Sequence, residues 1–322
     1  MKVAVICGGP SVEAEVSRVS ARAVAAALAS EGLEVTTLEL DASVAENLRT
    51  LAPTAVFPVC HGAVGEDGSL QGLLEVLGLP YVGSGVLASA LAMDKTVARV
   101  LFAAAGLPVA AGRSARSPDE AAALVRALGP RVVVKPAAGG SALGVTRVML
   151  EDASLAPLQR ALAEALEQGS VALVEELVQG DEVTCGVLHE TIPVALPPTR
   201  IRAPFASFYD FESRYAAGKS QHECPPPYPA ELVTEIQRVA VGAHAALGCR
   251  DLSRADFVVD AERGRVTLLE VNTMPGFTAT SLYPEAAGLS GLAFPALCRA
   301  LLGAALARGP ARRLVGVAFP GA

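Results

Sequence analysis

Arg254 and Asp256 stand two apart in one short strand-like run, and Glu270 and Asn272 stand two apart in the next. Residues two apart on a strand share a face. A turn over Asp260–Gly264 folds the chain so that 256 falls roughly opposite 270, and one sheet face then carries all four side chains. Two carboxylates and an amide are hard oxygen ligands, the kind Mg²⁺ takes when substrate phosphates complete its shell. Arg254 beside them would steady a developing oxyanion or a phosphoryl oxygen. The plain alternative is a solvated face with a surface ion pair. Val258 and Leu268, which flank the pattern, count against full exposure.

Three further segments carry chemistry. Lys135 ends a strand and opens the glycine-rich loop Gly139-Gly140-Ser141-Ala142-Leu143-Gly144. Backbone N–H groups of such a loop can wrap phosphate oxygens, with Lys135 supplying positive charge. It is not a P-loop, since no Gly-Lys-Ser/Thr ends it, and an ordinary hairpin loop is the competing reading. Gly8-Gly9 follows the first strand and leads to Glu13 and Glu15 at a helix start, where acids suit the dipole. The sharper reading points Glu13 into a cleft to hold an ammonium. Finally, His61-Gly62-Ala63-Val64-Gly65-Glu66-Asp67-Gly68 packs three of its glycines (62, 65 and 68) around an unusual turn after another apolar run. His61 there is either a structural histidine or a site residue.

The elements that must position these groups are legible from periodicity. Val3–Cys7, Glu34–Leu40 and Ala55–Val59 read as strands alternating with a helix over Ser17–Ser30. That alternation predicts a parallel sheet covered by helices, with ligands beyond the carboxyl ends of the strands, where Gly8-Gly9 and His61-Gly62 fall. Helices are predicted around Asp94–Ala105, after Ser117-Pro118-Asp119-Glu120 (a capping box), and over Leu155–Gln168, Ala230–Ala246 and Leu292–Ala307. Strands are predicted over Arg131–Lys135, Val145–Met149, Val171–Glu175 and Glu182–Leu188. Pro197 to Pro229 reads as one long loop, and loops of that length are often lids.

Composition narrows the class. The 322 residues are 52% apolar, enough for two or three packed domains. A net charge of -7 and 4% aromatics argue against nucleic acid, against an anionic membrane surface and against a base-stacking platform. None of the six cysteines forms a C-x-x-C pair, and they read as reduced core thiols. No apolar run reaches the roughly 18 residues of a membrane helix; Leu292 to Ala307 comes nearest, broken by Pro295 and Arg299. A cytoplasmic protein is expected. An NAD-binding oxidoreductase would need G-x-G-x-x-G after the first strand, which is absent.

Taken in order, the motifs resemble the D-alanine–D-alanine ligases of the ATP-grasp superfamily over about residues 1–307. The resemblance rests on Gly8-Gly9 with Ser11, Glu13, Glu15, Val16 and Ser17; His61-Gly62 with Gly65 to Gly68; Met93-Asp94-Lys95; and Lys135-Pro136 with Gly140-Ser141. It continues with Phe208 to Glu212 and Tyr215; Arg254 with Asp256; and Leu269-Glu270 with Asn272, Pro275, Gly276, Ser281 and Leu282.

The resemblance implies an α/β chain with an N-terminal parallel-sheet domain (1–84), then a two-part α+β ATP-grasp domain (85–176 and 177–308), then a tail (309–322). It implies ATP held by Lys95 and Lys135 at the phosphates, by Glu175 and the backbone near Val178 at adenine, by Glu182 at ribose, and by Arg214. Two Mg²⁺ ions, or Mn²⁺, would sit on Asp256, Glu270 and Asn272. Glu13 would bind the ammonium of the first D-alanine with His61 close by. Arg254 and the Gly276 N–H would stabilise the tetrahedral oxyanion, while Ser281 and the Leu282 N–H would grip the second carboxylate. Tyr215, in the lid, would hydrogen-bond Ser141 and Glu13. The product would be D-Ala-D-Ala for peptidoglycan precursors, made by a homodimer.

Three positions depart from the family pattern. Ala142 replaces a usual serine, Arg214 a frequent lysine and Glu176 a lysine beside adenine. Two other readings therefore stand beside the first. One is a ligase taking D-lactate or D-serine, which Tyr215 disfavours. The other is a weak ATP-binding homologue, which only Ala142 favours.

Overall fold

The computed structural model describes residues 1–151, 154–202, 220–278 and 281–310. The chain opens with β1 (Lys2–Cys7), α1 (Ala14–Ser30), β2 (Glu34–Glu39), α2 (Val44–Leu51), β3 (Ala55–Pro58) and α3 (Ser69–Val76). The three strands form a parallel sheet in the order β2-β1-β3. Both faces of β1 are covered, which is why it reads as a continuous apolar run. Val3, Val5 and Cys7 face one core, while Ala4 and Ile6 face another built with Leu48, Leu70 and Leu74 from α2 and α3.

Next come α4 (Val86–Met93), α5 (Lys95–Ala104), β4 (Gly112–Ala115), α6 (Pro118–Leu128), β5 (Arg131–Pro136), β6 (Thr146–Met149), α7 (Ala156–Glu167) and β7 (Ala172–Glu176). Asp94 caps α5, accepting from the Thr96 and Val97 N–H groups, which fixes where Lys95 emerges. The antiparallel sheet runs β4-β7-β5-β6 and packs its apolar face on α6 and α7. Ser117 caps α6 by accepting from the Glu120 N–H, as expected. The predicted capping box is not closed, however. The Glu120 carboxylate accepts from the Arg116 N–H, one residue before the cap, at 2.7 Å.

The last part holds β8 (Asp181–His189), β9 (Pro193–Ala195), β10 (Thr199–Arg202), β11 (Gln221–Glu223), α8 (Ala230–Ala246), β12 (Asp251–Asp260), β13 (Arg265–Asn272), α9 (Leu282–Leu289) and α10 (Phe294–Arg308). A six-stranded sheet runs β11-β10-β8-β12-β13, with β9 also on β8. The stretch read as one loop over 197–229 thus contains two paired strands. Their strand signal is faint because they are short, and Arg200 holds them from the side, 3.1 Å from Asp181 and in contact with Glu223.

The long hydrophobic helix α10 packs against the N-terminal sheet: Leu297, Cys298, Leu301 and Leu302 share a core with Val3, Val5 and Phe57. Among the described residues, no single helix is long and apolar enough to cross a membrane. All six cysteines are free and five are buried, consistent with core thiols.

Candidate active site

The hairpin of β12 and β13 pairs Arg254 with Asn272 and Asp256 with Glu270, as their spacing predicted. Asp256 is the hub. It accepts from Thr184 Oγ1 at 2.7 Å, from Arg254 Nε at 2.8 Å and Nη2 at 2.7 Å, and from Asn272 Nδ2 at 3.0 Å. Glu270 lies 3.1 Å from the Lys95 ammonium, which also donates to the Gly139 carbonyl at 2.5 Å.

One expectation needs correcting. The register shifts after Asp256, so Phe257 pairs with Leu268 and Leu269 is the extra residue of a β-bulge. Leu268 therefore turns into the helix-covered core, and Leu269 takes its place beside Val258 on the open face.

Among the described residues, no cluster of three or more His, Cys, Asp or Glu side chains makes a closed metal cage. Two carboxylates and one amide carbonyl on one face form a partial, all-oxygen set instead. That chemistry fits Mg²⁺, which keeps positions open for water and phosphate, and it fits neither a soft metal nor a closed site.

A cavity runs from Glu270 along the face of the smaller antiparallel sheet. Its apolar wall is formed by Ala110, Val133, Leu143, Leu177, Val258 and Leu269. Lys95, Lys135, Glu175, Val178 and Glu182 all line it, as does the glycine-rich loop including Ala142. Lys135 and Glu175, both buried, meet at 2.5 Å, and Glu182 pairs with Arg147 at 3.1 Å. An apolar slot with cations at one end and carboxylates along its edge suits a nucleotide triphosphate. Glu176, where a lysine is frequent in the family, is met by Arg265 at 3.2 Å.

The other end of the cleft belongs to the N-terminal sheet. Glu13 sits just before α1, yet its side chain makes no helix cap. It is buried and accepts from Ser141 Oγ at 2.5 Å. A Cβ at either Gly62 or Gly140 would come within 3.3 Å of the other carboxylate oxygen of Glu13, so both loops close on it as backbone. Ser141 and Ala142 both hold left-handed φ, at 54° and 55°, a conformation that non-glycine residues keep only where the surroundings impose it. Glu15, by contrast, is exposed and pairs with Arg18 and Arg22, the ordinary helix-end role.

His61 is buried, and its Nδ1 lies 3.1 Å from the Met274 carbonyl. A carbonyl only accepts, so Nδ1 carries the hydrogen and Nε2 is a bare lone pair. Desolvation pulls the imidazole below its usual pKa, which keeps it neutral, while the Glu13 carboxylate acts in the opposite sense. Nε2 has no partner among the described residues, so it is an acceptor awaiting a donor. Nearby, burial and then the Glu13 charge push the Glu66 carboxyl up to about 8, and its Oε1 accepts from the Gly62 N–H at 2.7 Å.

Gly276 precedes Phe277, a fully buried ring packed on Phe57, Tyr283 and Phe294 at 5.7, 5.9 and 5.7 Å. Removing such a ring costs about 3–5 kcal/mol, so the Gly276 backbone is firmly anchored. Ser281 stands at the N-cap of α9 without capping it, its Oγ accepting from the Thr278 N–H at 3.0 Å. Ser281 thus gives the first N–H groups of α9, Leu282 included, no side-chain acceptor, an arrangement that suits a carboxylate.

The fold brings Lys95, Lys135, Glu175, Glu182 and Glu270 to one cavity and Asn272 to a second that shares Lys95 and Glu270 with it. Ser141 ties Glu13 to the glycine-rich loop, Asp256 joins Arg254 to Asn272, and His61 meets Met274, which precedes Gly276 and Ser281. Arg214 and Tyr215 lie outside the described residues. Sequence reasoning assigned no role to Thr184, Met274 or Glu66. The first two act through a strand neighbour and a backbone carbonyl, which leave no local signal. Glu66 was visible only as part of a glycine motif.

Residues 43–84 match the family model "D-ala D-ala ligase N-terminus", and residues 101–303 match "D-ala D-ala ligase C-terminus". The D-alanine--D-alanine ligase of Acidiphilium cryptum is 46% identical over 299 residues, 92% of this chain and 96% of that one. The D-alanine--D-alanine ligase of Bacillus anthracis complexed with ATP superposes with TM-score 0.79 at 28% identity, covering 95% of this chain and 98% of that one. The VanG D-Ala:D-Ser ligase of Enterococcus faecalis gives TM-score 0.79 at 31% identity, covering 94% and 99%. With both family models matched and a relative 46% identical over 92% of the chain, this chain belongs to the D-alanine–D-alanine ligase family.

Proposed function

We propose that this chain joins two D-alanine molecules at the expense of ATP, through a D-alanyl phosphate, giving D-Ala-D-Ala, ADP and phosphate for peptidoglycan precursors. The observation that carries the reading is the Ser141–Glu13 hydrogen bond, which fastens the loop of the nucleotide cavity to the carboxylate of the N-terminal sheet. Phosphate donor and amino acid thereby share one cleft.

In this reading Glu13 and the bare Nε2 of His61 hold the ammonium of the first D-alanine, leaving its carboxylate toward the phosphates. A carboxylate oxygen attacks the γ-phosphorus, and ADP leaves. Lys95 and Lys135 offset charge on the moving group. Mg²⁺ on Asp256, Glu270 and Asn272 would supply further neutralisation when bound. The second D-alanine, its carboxylate on Ser281 and the Leu282 N–H, attacks the acyl carbon as a free amine. Arg254 and the Gly276 N–H stabilise the oxyanion, and phosphate departs. The acyl phosphate must be kept from water, the task we assign to the segment bearing Tyr215. Glu175 and the backbone at Val178 would take adenine, Glu182 the ribose, and Arg214 the nucleotide. The domain limits at 84, 176 and 308, a homodimer and a cytoplasmic location complete the proposal.

The test is phosphate release from Mg·ATP with D-alanine, L-alanine, or D-alanine plus D-lactate or D-serine, with products identified by mass. D-alanine-dependent ADP formation matched by D-Ala-D-Ala supports the reading. Preferential capture of D-serine would shift the second substrate toward that of VanG, and ATP binding without turnover would mark a disabled homologue.

A further inference from the structure

Helix α5 carries two cations one turn apart. Lys95 faces the phosphate end of the cavity, through Glu270 and the Gly139 carbonyl. Arg99, four residues on, is used differently. Its Nη1 donates to the Gly112 carbonyl and its Nη2 to the Ala110 carbonyl. Its Nε lies 3.9 Å from Glu175 Oε2, while the other oxygen of that carboxylate meets Lys135. The Arg99 side chain is only 14% accessible.

The segment it grips is a seam. Leu268 donates its N–H to the Pro108 carbonyl at 2.7 Å, and Val109 bridges to Leu268, so residues 108–112 join the catalytic sheet to the smaller one. Gly112 then pairs with Glu175 across β4 and β7. The strands approach so closely that a Cβ at Gly112 would fall 2.5 Å from the Glu175 Cβ. Ala110 and Glu175 line the nucleotide cavity. Carbonyls two residues apart on an extended segment point the same way, and a planar guanidinium with fixed donors matches them where an ammonium does not.

We propose that Arg99 is a positioning residue for the adenine end of the nucleotide: it locks the 110–112 seam and the Glu175 carboxylate at one fixed separation, so that base selection depends on it although it touches no substrate. The proposal rests on the ATP reading above. It separates the two cations of α5 by task, with Lys95 serving the phosphates and Arg99 the base.

The test uses the full-length enzyme and the variants Arg99→Ala and Arg99→Lys. Binding of ATP and of purine riboside triphosphate, which lacks the exocyclic amine, is measured by calorimetry, alongside KM for each substrate and thermal melting. The expected result is ATP binding about tenfold weaker in both variants. Purine riboside triphosphate should be nearly unaffected, so the preference for ATP collapses, while KM for D-alanine stays at the wild-type value. If Arg99→Ala does not fold, Arg99→Lys, which keeps the charge and loses the fork, decides. Equal losses for both nucleotides, or a matching rise in the KM for D-alanine, would reduce Arg99 to a structural role and overturn the proposal. Variants that bind ATP as the wild type does would also overturn it. Failure of the wild type itself to bind ATP would instead sink the nucleotide site.

Discussion

Ser141 donates its hydroxyl hydrogen to the Glu13 carboxylate at 2.5 Å although the two stand 128 positions apart in the chain. This contact fixes a glycine-rich loop against the N-terminal sheet and, in the proposed mechanism, sets the distance between phosphate donor and amino acid. Removing a hydrogen bond to a charged group costs about 1.5–3 kcal/mol. Ser141→Ala is therefore expected to lower kcat/KM for D-alanine by about 10- to 100-fold. Glu13→Gln, which also removes the charge for the ammonium, should lose more. Steady-state ADP release against D-alanine concentration checks both, and a Ser141→Ala enzyme with unchanged kcat/KM would detach the contact from function.

Arg254 holds Asp256 with two hydrogen bonds and, in the proposed mechanism, faces the oxyanion. Arg254→Ala should reduce kcat by about 10²–10³, the usual effect of losing an oxyanion donor. Asp256 keeps Thr184 and Asn272 as donors, so circular dichroism should still report a folded chain. Near wild-type turnover would remove Arg254 from the mechanism.

Ala142 lines the cavity at φ 55°, next to Ser141. Serine there meets no more backbone strain than alanine, and it restores the hydroxyl usual in the family. Ala142→Ser is expected to raise kcat/KM for ATP by about 10- to 100-fold, one hydrogen bond to a charged group. If nothing changes, the position does not reach the phosphates.

Asp251 is almost fully buried at φ 62°, accepting from the Gly83 N–H at 2.7 Å and forming an ion pair with Arg308, which also donates to the Tyr81 carbonyl. It thus ties the start of the catalytic strand to the N-terminal part and to the end of α10. Asp251→Ala leaves Arg308 unpaired and should destabilise by about 3–5 kcal/mol. Asp251→Gly should recover about 1–2 kcal/mol of that by relieving the left-handed backbone. Urea titrations of the three proteins give the comparison, and equal stability for the alanine and glycine forms would remove backbone strain from the account.

His244 is buried between His189 and Ser253, with contacts of 3.0 and 2.8 Å. Burial, then the neighbouring His189, pull its pKa from 6.5 down to about 4. The unfolded chain therefore binds a proton that the folded one refuses. Stability contributed by the neutral ring is complete above pH 6.5 and is lost as pH falls toward 4. The loss from this residue amounts to about 3 kcal/mol. Unfolding free energies between pH 7 and 4 should show a shallower acid limb in His244→Gln; identical slopes would clear His244 of this role.

The sequence by itself determined the family and most of the larger elements, and it named the residues proposed for the site. Period-2 spacing placed Arg254, Asp256, Glu270 and Asn272 on one face, and the glycine motifs marked where the backbone closes on Glu13, because both signals are local in the chain. Only the tertiary structure decided the rest. The bulge at Leu269 is an offset between strands, so no strand announces it alone. Thr184 reaches Asp256, and Met274 orients His61, through pairings set by the packing of distant elements. Glu13 and Glu15 look alike at a helix start; one is buried against Ser141 and the other stands in solvent, because only one of them points toward the loop that folds over it. Arg99 had no motif to mark it, since its partners are two backbone carbonyls and a carboxylate that meet only when β4, β7 and α5 converge.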